Sequence, residues 1–560
     1  MSSSIPLCRA SASLSELALE LSMATRHGLV TGATGTGKTV TLQALAQGFS
    51  DAGVPVLCCD IKGDLSGIAA AGSDEAKIAG AFAKLGLTKP AWNACPATFW
   101  DVAGALGHPL RATACDLGPL LMSRLLGLKD VQADTLRLLF RIADEKALPV
   151  LDLADLRALV GWASDNAAAL KSAYGLLSSA TLGAIQRSVL VLEDTGAGRF
   201  FGEPALDMPD LMRTAPDGRG VVNIIAAEGL MAEPALYAAV LLHLLGELFE
   251  ELPEAGDLSK PKLILLLDEA HLLFDDAPKA LIDAVERTAR LVRSKGVGLW
   301  LVTQSPLDLP ASVLGQLGNR VHHALRAYTP NDRKALDSIA NSLRPNPALN
   351  AAAAITELGV GEALVSFLDA EGRPMPVERA RVVPPASRVG ALSTAERAAL
   401  IAASPLGARY DKPIDRESAH EILKRSIGAD PAASEPGTPP LPRQAQGAAA
   451  REPTIEEIEA ELRGFPLERS TGQDYADERP YGDEPSARGT SGRGDGGRGS
   501  GARAPSPRAA APRNTASRGA YADTAGSFAA ELARAALNAA GRELGRQAVR
   551  GLLGTRRRKR

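Results

Sequence analysis

Apolar and polar positions follow two rhythms along this chain. From about Gly28 to about Val383, short unbroken apolar runs recur between longer stretches with helical spacing. The runs predict strands at Gly28–Thr31, Val54–Asp60, Gly220–Ala226, Lys262–Asp268, Gly298–Thr303, Arg320–Ala327 and Glu362–Leu368. Unbroken runs mark strands covered on both faces, as in parallel sheets flanked by helices. Leu263-Ile264-Leu265-Leu266-Leu267 is the purest run and belongs at the centre. The expected fold class is α/β with a mostly parallel sheet. Between about Asp116 and about Arg213 the strand signal stops and Leu and Ala recur at helical spacing. That stretch is too long for a crossover connection. It reads as an all-α insertion mounted on the sheet, or alternatively as a second, independent helical domain.

The rhythm fails near Gly428. Beyond it the chain is dense in Pro, Gly, Ser, Arg and Ala, and cannot bury enough surface to offset ordering entropy. The expected organisation is a lead segment (1–27), the first part of the α/β core (28–115), the helical insertion (116–213), the second part of the core (214–390), a helical extension (391–427), a disordered linker (428–525), and a C-terminal helix with a basic tail (526–560). Pro453–Leu462 suggests a short acidic helix within the linker.

Composition narrows the function classes. Aromatics at 4% are too sparse for base-stacking platforms, and a net charge of -3 gives no global basic character. The five cysteines, Cys8, Cys58, Cys59, Cys95 and Cys115, are odd in number and form no CxxC pair. They suggest neither a disulfide framework nor a zinc site, and point to a reducing compartment. No apolar run approaches membrane-spanning length, and Met1–Ala10 lacks the pattern of a secretory signal. The expected location is the cytoplasm.

One motif carries the chemistry. Gly32-Ala33-Thr34-Gly35-Thr36-Gly37-Lys38-Thr39 fits GxxxxGK[ST], with the strand Leu29-Val30-Thr31 before it and a helix from Val40 after it. Strand, glycine loop and helix form the context in which successive backbone N–H groups cradle phosphates and the helix N-terminus adds positive charge. Lys38 is expected to reach the β- and γ-phosphates, and Thr39 to ligate Mg²⁺. About 230 residues later the apolar run ends in Asp268-Glu269. Asp268 is the expected Mg²⁺ partner and Glu269 the group that polarises the attacking water. The competing reading, that these acids cap the next helix, weakens once both motifs occur in order. Gln304, at the end of Leu301-Val302-Thr303, is a candidate γ-phosphate contact or a plain strand end. Asp60, after Val56-Leu57-Cys58-Cys59, is a candidate for the water network near Mg²⁺ or a turn-forming Asp. Asp268-Glu269-Ala270-His271 spells DEAH, but the QRxGRxGR-like motif of that helicase class is absent from the sequence, so His271 reads as a local helix residue.

Together these elements resemble the HerA/FtsK superfamily of ring-forming ATP-driven DNA translocases, and within it the bacterial HerA-like, YjgR-type proteins. The likeness rests on Arg26-His27-Gly28-Leu29-Val30-Thr31 running into the glycine loop, Cys59-Asp60-Ile61-Lys62-Gly63-Asp64-Leu65, Phe200-Phe201-Gly202-Glu203-Pro204, LLLDEAHLLF, Arg293-Ser294-Lys295-Gly296, Val302-Thr303-Gln304, Leu317-Gly318-Asn319-Arg320-Val321 and Ala324-Leu325-Arg326-Ala327. It spans about Pro6–Pro385. The resemblance implies a RecA-like P-loop NTPase core that uses ATP and Mg²⁺. It also implies a homo-oligomer, usually a hexameric ring, with ATP at subunit interfaces. An arginine from the neighbouring subunit then stabilises the transition state; Arg293 matches by position, with Arg290, Arg320 and Arg326 as rivals. Archaeal HerA proteins carry an N-terminal β-barrel that docks a nuclease; with roughly thirty residues before Gly32, neither that barrel nor the nuclease partnership is expected here.

Within the tail, Arg488-Gly489, Gly492-Arg493-Gly494 and Gly497-Arg498-Gly499 resemble flexible RGG tracts, and the chain ends in Arg556-Arg557-Arg558-Lys559-Arg560. Such an arm suits phosphate backbones, or serves as a solubilising segment balanced by nearby acids. Three functions follow as expectations: an ATP-driven motor on DNA, an ATP-dependent switch or assembly factor acting on a partner protein, or a nucleotide-bound scaffold. Glu269 argues against the last.

Overall fold

The computed structural model describes residues 3–175, 177–256, 258–274, 279–326 and 330–428. Its strands are β1 (Ser4–Ala10), β2 (Glu16–Glu20), β3 (Gly28–Thr31), β4 (Val56–Asp60), β5 (Ala97–Asp101), β6 (His108–Pro109), β7 (Val222–Ala226), β8 (Leu263–Leu267), β9 (Val297–Thr303), β10 (Asn319–His323), β11 (Glu362–Ser366) and β12 (Glu378–Val382). They form one twelve-stranded sheet in the order β2-β1-β12-β11-β10-β3-β9-β8-β4-β7-β5-β6. From β10 to β6 every neighbouring pair is parallel. From β10 to β2 every pair is antiparallel.

The apolar runs are unbroken because successive residues enter two different cores. Leu29, Leu57, Leu265, Leu267, Leu299 and Leu301 face one side, while Val30, Val56, Ile264, Leu266, Trp300 and Val302 face the other. On that second face lies the Lys38–Asp51 helix, which contributes Leu42, Leu45 and Phe49. Burying one such side chain completely stabilises the fold by about 1.5–3 kcal/mol. With β9 and β4 on either side, β8 sits inside the sheet, as its composition requires.

Two helices of the insertion begin where the sequence supplies a capping side chain. Thr113 with Asp116 opens Ala114–Leu125, and Asp152 with Asp155 opens Leu153–Asp165. Leu136, Leu139, Leu156 and Ile185 join the same continuous core as Leu265 and Leu267. The helices of the insertion therefore share one core with this face of the sheet. The insertion's link to the sheet is the Pro234–Glu251 helix, apolar over most of its circumference and buried accordingly.

All seven expected strands are present, with ends displaced by a few residues. The run expected to reach Ala327 stops at His323, and Ala327 itself lies outside the described residues. Five strands were not foreseen. Residues 1–27 are not merely a lead, since β1 and β2 extend the sheet by pairing with β12 and with each other. The extension carries helices Thr394–Ala403, Gly407–Tyr410 and Ala419–Gly428. Past Gly428, the expected linker, its acidic helix, and the C-terminal helix with its basic tail lie outside the described residues.

Candidate functional site

The glycine loop leaves the C-terminal end of β3 and enters the Lys38–Asp51 helix. Gly32 has φ +154°, and a Cβ there would lie 2.6 Å from Cβ of His323. Gly35 has φ +77° and nothing within 4 Å of a Cβ position, so the loop is open on that side. No side chain caps the helix N-terminus, and its first turn holds no acid. Unsatisfied N–H groups and the helix dipole are left for an anion. The rear of the loop is tied down: Ala33 N–H donates to the Ala324 carbonyl and Gly361 N–H to the Thr36 carbonyl, each at 2.9 Å. The Thr36 hydroxyl donates to the Ala33 carbonyl at 2.7 Å. Thr34 is exposed, while Thr39 and Val40 are half-buried at the helix start. Lys38 curls back, its Nζ donating to the Gly32 carbonyl at 2.6 Å and the Ala33 carbonyl at 3.2 Å.

The acidic pair follows β8. Asp268 and Glu269 are both buried. The Asp268 carbonyl accepts from the Tyr237 hydroxyl at 2.8 Å, and its Oδ1 accepts from the Glu269 N–H at 2.9 Å. Glu269 adopts a left-handed backbone, φ 46° and ψ 47°, which costs of order 1–3 kcal/mol for a non-glycine residue. Its Oε1 accepts from Lys62 Nζ at 3.1 Å. Its Oε2 is buried with no hydrogen-bond partner among the described residues, facing His271 Nδ1 at 3.5 Å.

The two motifs are not on adjacent strands, because β9 lies between β3 and β8. That places Gln304, exposed at the C-terminal end of β9, between the glycine loop and the acidic pair. The charges nonetheless form one cluster. Burial, then the neighbouring Glu269 charge, pushes the Asp268 carboxyl up to about 6, opposed by Lys62 and Lys38. Burial and Lys62 lower the Lys38 ammonium, opposed by Asp268 and Glu269. Burial acts to lower Lys62, but Asp268, Glu269 and Asp64 outweigh it and hold it above its ordinary range.

Asp60 serves the turn. Its two oxygens accept from the N–H groups of Gly63 at 2.8 Å and Leu65 at 3.0 Å. Burial, then Asp64, pushes its carboxyl up to about 7. The turn it shapes carries Lys62 to Glu269. The arginines divide between the two ends of the sheet. Arg293 ends the Lys279–Ser294 helix just before β9, near His27 at the start of β3. The seven residues of β9 separate it from the loop's end by roughly 20 Å. Arg293 therefore cannot serve its own chain's loop. Arg320, at the start of β10, donates to the Leu317 and Leu314 carbonyls, and Arg290 pairs with Glu286. Of these four arginines, Arg326 follows the end of β10 that touches the glycine loop.

Two contributors carry no sequence signal of their own. His323 lies under the loop, its Nδ1 donating to the Glu362 carbonyl and its Nε2 accepting from the Thr41 hydroxyl, each at 2.8 Å. Burial pushes its pKa down to about 4, which keeps it neutral. Tyr237 comes from a helix whose apolar run conceals its hydroxyl. Lys62, by contrast, sat in a visible motif beside the more obvious Asp60.

Residues 7–478 match the family model described as helicase HerA-like C-terminal. The chain belongs to this HerA-like family. A probable helicase of Methanocaldococcus jannaschii is 32% identical to the HerA-like chain over 154 residues, which is 26% of this chain and 28% of that protein. The chain thus matches little more than a quarter of that relative's length. Among solved structures, the bacterial conjugative coupling protein TrwB is similar at 17% identity, covering 69% of this chain and 91% of that one, with a TM-score of 0.44. VirB4 of Thermoanaerobacter pseudethanolicus is similar at 13% identity, covering 68% and 97%, with a TM-score of 0.44. A structure of TrwB with ADP and Mg²⁺ is similar at 18% identity, covering 68% and 89%, also at 0.44. The HerA-like chain has a mixed α/β fold built on a mostly parallel sheet. Among its described residues, no single helix is long and apolar enough to cross a membrane.

Proposed function

We propose that this chain hydrolyses ATP to ADP and phosphate, and that it works as a ring-forming motor on DNA. The observation that carries the reading is the single charge cluster of Lys38, Lys62, Asp268 and Glu269 beside an uncapped helix N-terminus. The open side of the loop at Gly35 and the oxygen donors of Thr39 and Asp268 fit a magnesium-bound triphosphate. Thr39 and Asp268 would hold the Mg²⁺, which when bound neutralises charge on the β- and γ-phosphates. The loop N–H groups and Lys38 bind the phosphates; Lys38 gives up its own loop carbonyls to do so. Glu269 accepts a hydrogen bond from the attacking water and takes its proton. Gln304, between the two halves, contacts the γ-phosphate. A neighbouring subunit supplies an arginine, Arg293 by its position in the sequence or Arg326 by its place at the loop's end. A reducing, cytoplasmic setting suits the buried free thiols of Cys8, Cys58, Cys59 and Cys95.

The test is ATPase turnover and oligomeric state of the full chain, with and without duplex DNA at low salt. The expected result is a ring whose turnover DNA stimulates. Turnover indifferent to DNA, with no DNA binding, would favour the alternative, an ATP-dependent switch acting on a protein partner. Absence of ATP binding would remove both.

A further inference from the structure

Two lysines face the acidic pair, and both are occupied within the protein. Lys38 is bound to carbonyls of its own loop. Lys62 is paired with Glu269 Oε1, its side chain 41% exposed against 6% for Glu269. Glu269 is thus a buried carboxylate held by a hydrogen bond through one oxygen, while Oε2, with His271 Nδ1 at 3.5 Å, accepts none among the described residues. A half-satisfied buried carboxylate is weakly held, because its remaining oxygen bears an uncompensated desolvation cost. Its partner is a flexible ammonium that still reaches solvent and can follow a stronger anion. The turn that carries Lys62 is rigid: Asp60 accepts from Gly63 and Leu65, and Ser66 Oγ donates to the Gly63 carbonyl at 2.8 Å. A change of partner then needs only the lysine stem to move.

We propose that Lys62 discriminates ATP from ADP by exchanging partners: without nucleotide it holds Glu269, and with ATP it moves to the γ-phosphate and frees Glu269 for the water. This rests on the ATP-hydrolysing reading above. A terminal phosphate carries more charge than the Glu269 carboxylate, so it competes for Lys62 wherever it comes within reach; on this reading the γ-phosphate does, and the β-phosphate cradled by the glycine loop does not. ADP leaves Lys62 on Glu269.

The experiment measures magnesium-dependent binding of ATPγS and of ADP to the full chain by calorimetry. The chains compared are wild type, Lys62→Met, Lys62→Gln and Lys62→Arg, with Lys38→Ala alongside and melting curves as a folding control. Losing one charge-assisted bond to phosphate should weaken ATPγS binding about tenfold or more. ADP binding should stay within about twofold, since on this reading no bond to it is lost. Lys62→Arg should retain most of the preference for ATPγS. If the Met and Gln variants weaken both nucleotides alike, or neither, while Lys38→Ala abolishes binding, the exchange is wrong and the ATP reading survives. If Lys38→Ala binds both nucleotides as wild type does, the ATP reading fails and the exchange fails with it.

Discussion

Glu269 offers a test in which the sign of a stability difference decides the matter. Its backbone is left-handed, φ 46° and ψ 47°. A Cβ in that region costs about 1–2 kcal/mol, which glycine escapes. Glycine in turn loses about 0.5–1 kcal/mol relative to alanine through its freer unfolded chain. Glu269→Gly should therefore be more stable than Glu269→Ala by about 0.5–1 kcal/mol, the reverse of the order at an ordinary helix or strand position. Both variants also remove a carboxylate with an orphaned buried oxygen, at the expense of one pairing to a part-exposed lysine. Neither should melt below wild type. The assay is equilibrium urea unfolding of the nucleotide-free chain, comparing midpoints at constant slope. An alanine variant more stable than the glycine variant would show that the left-handed turn is not the resting conformation, and would remove the strain from the account of this site.

Three further outcomes are expected. Lys38→Ala should abolish ATP binding, and with it the rise in melting temperature that saturating nucleotide gives wild type, read by calorimetry and thermal shift. Glu269→Gln should keep ATP bound while lowering turnover by about 10²–10⁴-fold; mixing it with Arg293→Ala or, separately, Arg326→Ala subunits should restore activity only for the arginine that acts across the interface. Stability should fall as pH drops from about 6.5 toward 4, because four buried histidines, His243 among them, outweigh Asp60 and Asp268, whose raised carboxyls act in the opposite sense. His27 and His323, buried and pushed down to about 4, and His322, pushed to about 3, bind protons there only when unfolded. His323→Asn should flatten that slope in melting curves recorded against pH.

The central strands were legible in the sequence because both of their faces are buried, which leaves an unbroken apolar run as a direct trace of the fold. The edges were not. In β12 the core-facing Ala380 and Val382 alternate with Arg379 and Arg381, which pair with Glu362. That is a period-two signal hidden by its charge. β5 breaks its apolar run with Thr98 and Asp101, β6 has only two residues, and β1 contains Pro6. The glycine loop and the acidic pair were readable because their chemistry demands particular residues in a fixed local context. Lys62, His323 and Tyr237 act through contacts between distant segments. Tyr237, for example, meets Asp268 across a helix-to-strand packing that no local pattern encodes. The order of strands also lay beyond the sequence, since nothing local announces that β9 enters between β3 and β8.

That intercalated strand has a consequence for how the protein comes into being. During synthesis Lys38 emerges long before Asp268, and Asp268 before Val297, yet the strands bearing the first two are held at their spacing only once the third has been inserted between them. A nascent chain that stops short of Thr303 owns both halves of the cradle but not the strand that sets the distance between them. Fragments should thus be blind to nucleotide, and the capacity to bind it should appear abruptly, late in translation, rather than grow with length.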